Sequence, residues 1–446
     1  MDANNISQAG TNINLSNNIP ASTPTTSQPE THKALVACVC GLIGLVIGGT
    51  GVFALTQLLQ EPTDNPICEC PKCQTSASQT SLDFDFLKLE LGSENIIYSP
   101  LSIKNGLALL STGAAGTTAA EINNVLGDAE IPKYQNVPDA LSLANAVFIR
   151  ETFENDVLST YTSAVENNYN AEVIYDDFSS STKMDNWVDQ KTFGLINNIG
   201  IQPNDDLKMV LANALAIQMD WQHSFDTEDT RGKTFYKEDG SEITATTMNK
   251  KTSVPDINYY IDNDVTMLSM PLKPTDESAL EFVAIMSKNN LNDYIDSVGL
   301  DTIETLISNA TPASNPKDGI IINIPKFKFD YTLKFKDDLM SLGISQAFNE
   351  KLADFSNMAS KPLYVSSAAH KANIDFSEKG IKAAAVTAFG IQDSAVRVDE
   401  TQPVVINIDH PFLFIIRDKN NGAAWFTGAV YQPNLWEDNA SEYYKY

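Results

Sequence analysis

The residue types able to do chemistry in this chain are few and unevenly placed. All five cysteines, Cys38, Cys40, Cys68, Cys70 and Cys73, lie before residue 75. Three fall in Cys68-Glu69-Cys70-Pro71-Lys72-Cys73, where clustered thiols could supply part of a zinc site, although a closed structural site wants four ligands. The C-x-x-C within the run lacks the strand and helix that flank a thioredoxin-type redox pair. It reads instead as a disulfide with one thiol left over, able to link two chains through Cys68, Cys70 or Cys73. The four histidines, His32, His223, His370 and His410, stand in unrelated contexts. No G-x-S-x-G elbow, H-E-x-x-H helix or G-x-x-x-x-G-K-[ST] loop occurs, which removes the usual signatures of hydrolase, zinc-protease and nucleotide chemistry. A triad is geometric and not sequential, and nothing in the residue order proposes one. No metal and no cofactor are expected.

Chemistry of any kind would have to be positioned by a large core. With 446 residues and 43% hydrophobic content, the chain can bury one large domain or two ordinary ones. Its net charge of −27 opposes binding to polyanions, because phosphate and sulfate backbones exchange their counterions for Lys and Arg. Nucleic acid and heparin-like partners are therefore excluded, and the acidity reads as a solubility feature.

Residues 1–33 are rich in Asn, Ser, Thr and Gln and cannot bury enough apolar surface to order themselves. From Ala34 to Leu59, about 26 residues carry no formal charge, enough to cross a hydrocarbon core of roughly 30 Å. Lys33 precedes this span while Glu61, Asp64 and Glu69 follow it, so the positive-inside rule puts the N-terminus in the cytoplasm and the bulk of the chain outside a cell membrane. Two rival readings are a signal peptide cut after Val52-Phe53-Ala54 and a lipobox at Leu35-Val36-Ala37-Cys38. The first wants a shorter apolar region, and a lipobox closes such a run where this one opens it. Residues 60–81 form a Cys-containing spacer, 82–436 the globular domain and 437–446 a short tail. The low Arg content and many Asn and Ile residues fit an AT-rich genome, and with the anchor they suggest a bacterial surface protein.

The globular part alternates helical and strand periods with no repeat and no second linker, the mark of a single mixed α+β domain. Ile321-Ile322-Asn323-Ile324-Pro325-Lys326-Phe327-Lys328-Phe329 reads as strand, while Met184–Ile199 and Phe335–Leu342 have helical spacing. Along this stretch run Asn95-Ile96-Ile97-Tyr98-Ser99-Pro100-Leu101-Ser102-Ile103 and Gly113 to Thr118, then Leu143-Ala144-Asn145-Ala146-Val147-Phe148, Asn186-Trp187-Val188 and Leu211-Ala212-Asn213-Ala214 with Trp221 and Phe225. Ile324-Pro325-Lys326-Phe327, Leu342-Gly343-Ile344, Ala353-Asp354-Phe355-Ser356, His370-Lys371-Ala372, His410-Pro411-Phe412 and Gly428 to Pro433 complete the series. In type and order these segments resemble the serpin family over nearly the whole globular part.

The resemblance implies helices packed around three mainly antiparallel sheets, with an exposed reactive loop offered as bait to a serine protease. In that family the cut loop inserts as a new strand in the main sheet and traps the protease as an acyl-enzyme. Inserted residues alternate between core and solvent, so every second one must be buriable. In the hinge that matches, Glu378-Lys379-Gly380-Ile381-Lys382-Ala383-Ala384-Ala385-Val386-Thr387-Ala388, an inward row of Ile381, Ala383, Ala385 and Thr387 carries no charge, and Ala384 lies on the other face. By composition alone Ala383 to Ala388 is equally an Ala-rich helical turn. Counting as the family does places the scissile bond at Ser394-Ala395, a small residue suited to an elastase-like pocket; Arg397-Val398, suited to a trypsin-like pocket, is the alternative, and Asp393 would suit a protease that selects acidic residues. The shutter that controls sheet opening maps to Ser99, Ser102, Asn213 and His370, and the breach where the loop first enters maps to Trp221. Between Glu121 and Leu141 the chain is short and broken by Pro132 and Pro138, so the glycosaminoglycan-binding helix of some serpins is expected to be reduced or absent. A non-inhibitory surface serpin is the competing expectation, because Ile381 is bulkier than the residue usual there.

Overall fold

The computed structural model describes residues 82–127, 131–276, 278–381 and 402–437. In chain order these form α1 (Leu82–Leu89), β1 (Ile96–Tyr98), α2 (Pro100–Gly113), α3 (Gly116–Leu126), β2 (Leu141–Arg150), α4 (Ser159–Tyr169), β3 (Ala171–Asp176), α5 (Thr182–Lys191), β4 (Met209–Ile217) and β5 (Met219–Asp220). There follow β6 (Arg231–Tyr236), β7 (Glu242–Thr252), β8 (Asn258–Ile261), β9 (Val265–Pro271), β10 (Leu280–Ser287), α6 (Leu291–Ser297), α7 (Leu300–Ser308) and β11 (Thr311–Pro312). The remainder is β12 (Ile320–Pro325), β13 (Phe327–Thr332), α8 (Phe335–Ser341), β14 (Ser367–Ser377), β15 (Gly380–Ile381), β16 (Val404–Asn407), β17 (Phe412–Asp418) and β18 (Ala424–Val430).

The strands assemble into three sheets: β3-β2-β4-β14-β15-β5 with β13 also on β14, β1-β18-β17-β10-β9-β8-β11, and β16-β12-β7-β6. Most neighbours are antiparallel, but β2 with β3, β4 with β14 and β12 with β16 run parallel. Strand β4 is buried along its whole length, as expected where both faces of a sheet are covered. Its Val210, Ala212 and Ala214 pack with Trp187 and Val188 of α5 on one side, while Leu215 and Ile217 join Phe282 and Phe376 on the other.

Two sequence expectations are corrected by local chemistry. The helix expected over Met184–Ile199 stops at Lys191, because the Thr192 hydroxyl donates to Val188 O at 2.7 Å and accepts from Ile196 N at 3.0 Å, and Phe193 and Gly194 turn to positive φ of 55° and 75°. The strand expected over Ile321–Phe329 is two strands in different sheets, β12 and β13, which part at Pro325 and Lys326. Among the described residues no helix stands between Leu126 and Leu141, in keeping with the short, Pro-broken connection. None of the described helices is long and apolar enough to cross a membrane. The expected span 34–59 and the cysteines lie outside the described residues.

Candidate functional site: the hinge and the seam it enters

Strand β4 is paired to β2 from Leu141↔Ile217 to Ile149↔Met209, but to β14 only from Ser367↔Val210 to His370↔Asn213. Beyond His370, β14 pairs instead with β13, from Lys371↔Thr332 to Phe376↔Phe327. The main sheet is therefore zipped at one end of its central seam and parted at the other.

The chain that leaves β14 is held at the parted end. Trp221, fully buried, donates from Nε1 to Ser377 O at 2.8 Å and from its backbone N to Lys379 O at 2.7 Å. Its ring meets Phe376 and Phe282 edge-on. Phe225 N donates to Glu378 O at 2.9 Å. The Glu378 carboxylate is itself buried and paired with Lys326 at 2.8 Å, and it accepts from Thr230 Oγ1 at 2.8 Å. Burial alone would raise the Glu378 carboxyl, yet the hydrogen bonds from Lys326 and Thr230 outweigh it and hold it below its usual value.

Gly380 and Ile381 then turn back as β15. They pair antiparallel with Asp220 and Met219 on one side and with Ser377 and Phe376 on the other. A Cβ at Gly380 would overlap Met219 O, so only glycine permits this approach. Ile381 is buried at 4% exposure, inward as the alternation requires. Lys382 and the rest of the hinge, including Ala383, Ala384, Ala385 and Thr387, lie outside the described residues, as do both candidate reactive bonds at Ser394-Ala395 and Arg397-Val398.

The residues expected to form the shutter, Ser99, Ser102, Asn213 and His370, meet at the zipped end. Ser99 caps α2 by accepting from Ser102 N at 3.1 Å, and its backbone N donates to His370 Nε2 at 3.0 Å. That bond places the ring proton on Nδ1. Full burial pushes the His370 pKa down to about 3, so the ring is neutral. Asn213 donates from Nδ2 to Asn145 Oδ1 at 2.8 Å. Asn145, Asn213 and His370 thus form one row across β2, β4 and β14. Four atoms of this group, Ser102 Oγ, Asn145 Nδ2, Asn213 Oδ1 and His370 Nδ1, find no partner among the described residues.

Every expected site residue among the described ones falls at the hinge or along this seam. Asn145, Lys326 and Thr230 belong to the site without having been singled out for it. Lys326 and Asn145 sit inside motifs that the sequence displays, but their partners are 52 and 68 positions away, and strand periodicity says nothing about pairing at that distance. No cluster of potential metal ligands occurs among the described residues.

Three mainly antiparallel sheets packed with helices, with the chain that leaves β14 turned back between β14 and β5 at the parted end of the main sheet, define the class of fold. The profile of the family described as Serpin (serine protease inhibitor) matches residues 78–433. The chain is 30% identical to a leukocyte elastase inhibitor of Xenopus laevis over 388 residues, covering 80% of this chain and 99% of that one. It is 27% identical to a serpin-like protein of Methanosarcina mazei, covering 77% and 83%. Among solved structures, the thermophilic serpin tengpin in its native state superposes with a TM-score of 0.68 at 27% identity, covering 79% of this chain and 93% of that one. The chain belongs to the serpin family of serine protease inhibitors.

Proposed function

We propose that this protein is a suicide inhibitor of serine proteases: the protease cuts the reactive loop, the loop's N-terminal side inserts between β4 and β14, and the acyl-enzyme is carried along and trapped. One observation carries the reading. Ile381 is already paired with both Met219 and Phe376, at the top of the slot that a further strand would fill. Continuing that register six residues brings Thr387 opposite both Asn213 and His370, which are already partners of each other. The two strands therefore need only part sideways and need not slide.

The inward row fits the slot. Ala383 falls between Ile217 and Ile374, and Ala385 between Leu215 and Ala372, so each inserted alanine meets at least one larger residue on the flanking strands. Thr387 brings a hydroxyl, donor and acceptor at once, to the row where Asn213 Oδ1 and His370 Nδ1 find no partner among the described residues. Each new ladder bond contributes roughly 1 kcal/mol, and a strand of this length makes the inserted state strongly favoured.

The bait residue is proposed to be Ser394, for an elastase-like protease, with Arg397 and a trypsin-like protease second. Relatives named leukocyte elastase inhibitor support that order. Residues 34–59 are proposed to tether the inhibitor in a cell membrane with the domain outside, and Cys68, Cys70 or Cys73 to link two chains. Tethering predicts that the full chain sediments with membranes and that a chain starting at Leu82 does not.

The test is to incubate the protein with elastase-like and trypsin-like proteases and analyse denaturing gels together with the mass of the released C-terminal peptide. A denaturant-stable complex with cleavage after Ser394 or Arg397 is expected. Clean cleavage across the panel with no complex overturns inhibition and leaves a non-inhibitory surface serpin.

A further inference from the structure

The family match ends at Pro433, yet the chain remains docked for three residues beyond it. Strand β7 pairs with β12 only as far as Thr247↔Pro325, where β12 departs toward β13. Asn434–Trp436 take over the vacated edge. Thr246 N donates to Asn434 O and Trp436 N donates to Thr244 O, each at 2.9 Å. Leu435 O accepts from Thr246 Oγ1, also at 2.9 Å. The Trp436 indole lies across β6 at Gly232, where an added Cβ would stand 2.7 Å from Trp436 Cγ.

This short segment grips one residue of the hinge lock. Lys326 N donates to Thr246 O at 2.8 Å, and Lys326 O accepts from Asn434 N at 2.9 Å. Two residues on, Lys328 N donates to Asn434 Oδ1 at 3.1 Å. Lys326 has left β12 and has not yet entered β13, so these bonds fix its backbone at the corner between two sheets. From that corner its Nζ reaches the Glu378 carboxylate.

We propose that Asn434–Trp436 form a positioning strap, which fixes the Lys326 backbone and through Lys326 sets how firmly Glu378 holds the hinge in its starting position. The inference rests on the hinge role given to Glu378 above. A corner held on one side alone would let the Lys326 side chain wander, and a long flexible cation loses much of its value as a partner when it must be ordered anew. The strap supplies that order from outside the residues that match the family.

The experiment compares amide hydrogen exchange at Gly380 and Ile381 in four uncleaved proteins: the full chain, a chain ended after Glu437, a chain ended after Pro433, and full-length Gly232→Ala, whose new methyl displaces Trp436. Each is measured again with Glu378→Gln. Ending the chain after Glu437 keeps the strap and leaves exchange unchanged. Ending it after Pro433, or Gly232→Ala, speeds exchange at the hinge about tenfold. In the Glu378→Gln background neither change adds anything, since the lock is already open. Unchanged hinge exchange on losing the strap overturns the proposal, and so does an undiminished effect in the Glu378→Gln background, which would mark general loosening of the β6–β7 edge. Because exchange is read on uncleaved chains, these outcomes are separate from whether the cut loop inserts, which the protease experiment decides.

Discussion

Asn213 and His370 face each other at the last pair of the β4–β14 ladder, so the buried polar row of the main sheet stands where its two central strands begin to part. The proposed opening of this seam needs a weak point with a defined register, and this pair is placed to supply both. On one side Asn213 is tied to β2 through Asn145, and on the other His370 is tied to the cap of α2 through Ser99. In the proposed opening, each strand would keep its own tether.

The Lys326–Glu378 pair predicts a pH-dependent loss on mutation. In Lys326→Ala the buried Glu378 keeps Thr230 but loses its cation, and a loss of about 2 kcal/mol is expected, discounted because Lys326 is partly exposed. Glu378 has a folded pKa below its ordinary value of 4.5, so its contribution is present above pH 4.5 and is lost as pH falls through the lower folded value. The urea midpoints of wild type and variant should therefore differ most at pH 7 and converge only as pH falls below 4.5 and through the lower folded value. A gap that does not change with pH would mean that the Lys326 stem, and not its charge, stabilises the corner.

Two buried groups titrate in opposite senses. His370 has a folded pKa of about 3 against an ordinary 6.5. The unfolded chain therefore takes up a proton first, and stability falls as pH drops below 6.5 by up to about 1.4 kcal/mol per pH unit. Burial, and the Glu90 carboxylate beside it, push Asp338 up to about 7 from 3.8, so its contribution is full below pH 3.8 and is lost as pH rises through 7. In wild type the two slopes oppose each other between pH 4 and 6.5. Asp338→Asn should unmask the histidine, giving a steeper fall on acidification than wild type in denaturation followed from pH 7 to 4.5. Parallel profiles for the two proteins would show that Asp338 does not hold its proton.

Gly106 of α2 lies directly under the shutter, and a Cβ there would overlap the Asn213 carboxamide. Gly106→Ala must therefore push Asn213 off Asn145, at a cost of about 1–3 kcal/mol from strain and the lost bond. Thermal melts should show a lower midpoint for Gly106→Ala, and Asn145→Ala should add little to it. Full additivity of the two changes would show that Gly106 acts elsewhere.

Much of this site is legible in the residue order, for a physical reason. Ser99 and Ser102 at the start of α2, Asn213 in β4, Trp221 beyond it and His370 in β14 each sit in a short motif whose local structure is dictated by its neighbours, and the alternation of the hinge is a period-two pattern. What the order of residues conceals is pairing across space. Thr230 lies 148 positions from Glu378, Asn434 reaches back more than a hundred positions to Lys328, and neither link leaves a periodic trace. The break between β12 and β13 is hidden for a related reason, since Ile320 to Phe329 alternates well enough to pass as one strand while Pro325, without an N–H, lets the chain change sheets.

The hinge register makes the sharpest functional prediction. Continued from Ile381, it puts Thr387 inward at the level of Asn213 and His370, two neutral neighbours that offer no anion to a buried cation. An arginine there would have to bury its charge beside two neutral groups, at a cost of several kcal/mol, whereas Lys382, two places from Ala384 on the outward row, is solvated already in the inserted state. Thr387→Arg should leave the uncleaved protein as stable as wild type, because the residue is spent only on insertion. After cleavage, wild type should gain thermal stability and trap its protease, while Thr387→Arg should gain little and be turned over as a substrate, with the stoichiometry of inhibition rising at least several-fold. Ala384→Arg, on the opposite face, is the control that should still trap. If Thr387→Arg traps as well as Ala384→Arg does, the register read from Gly380 and Ile381 does not extend down the seam.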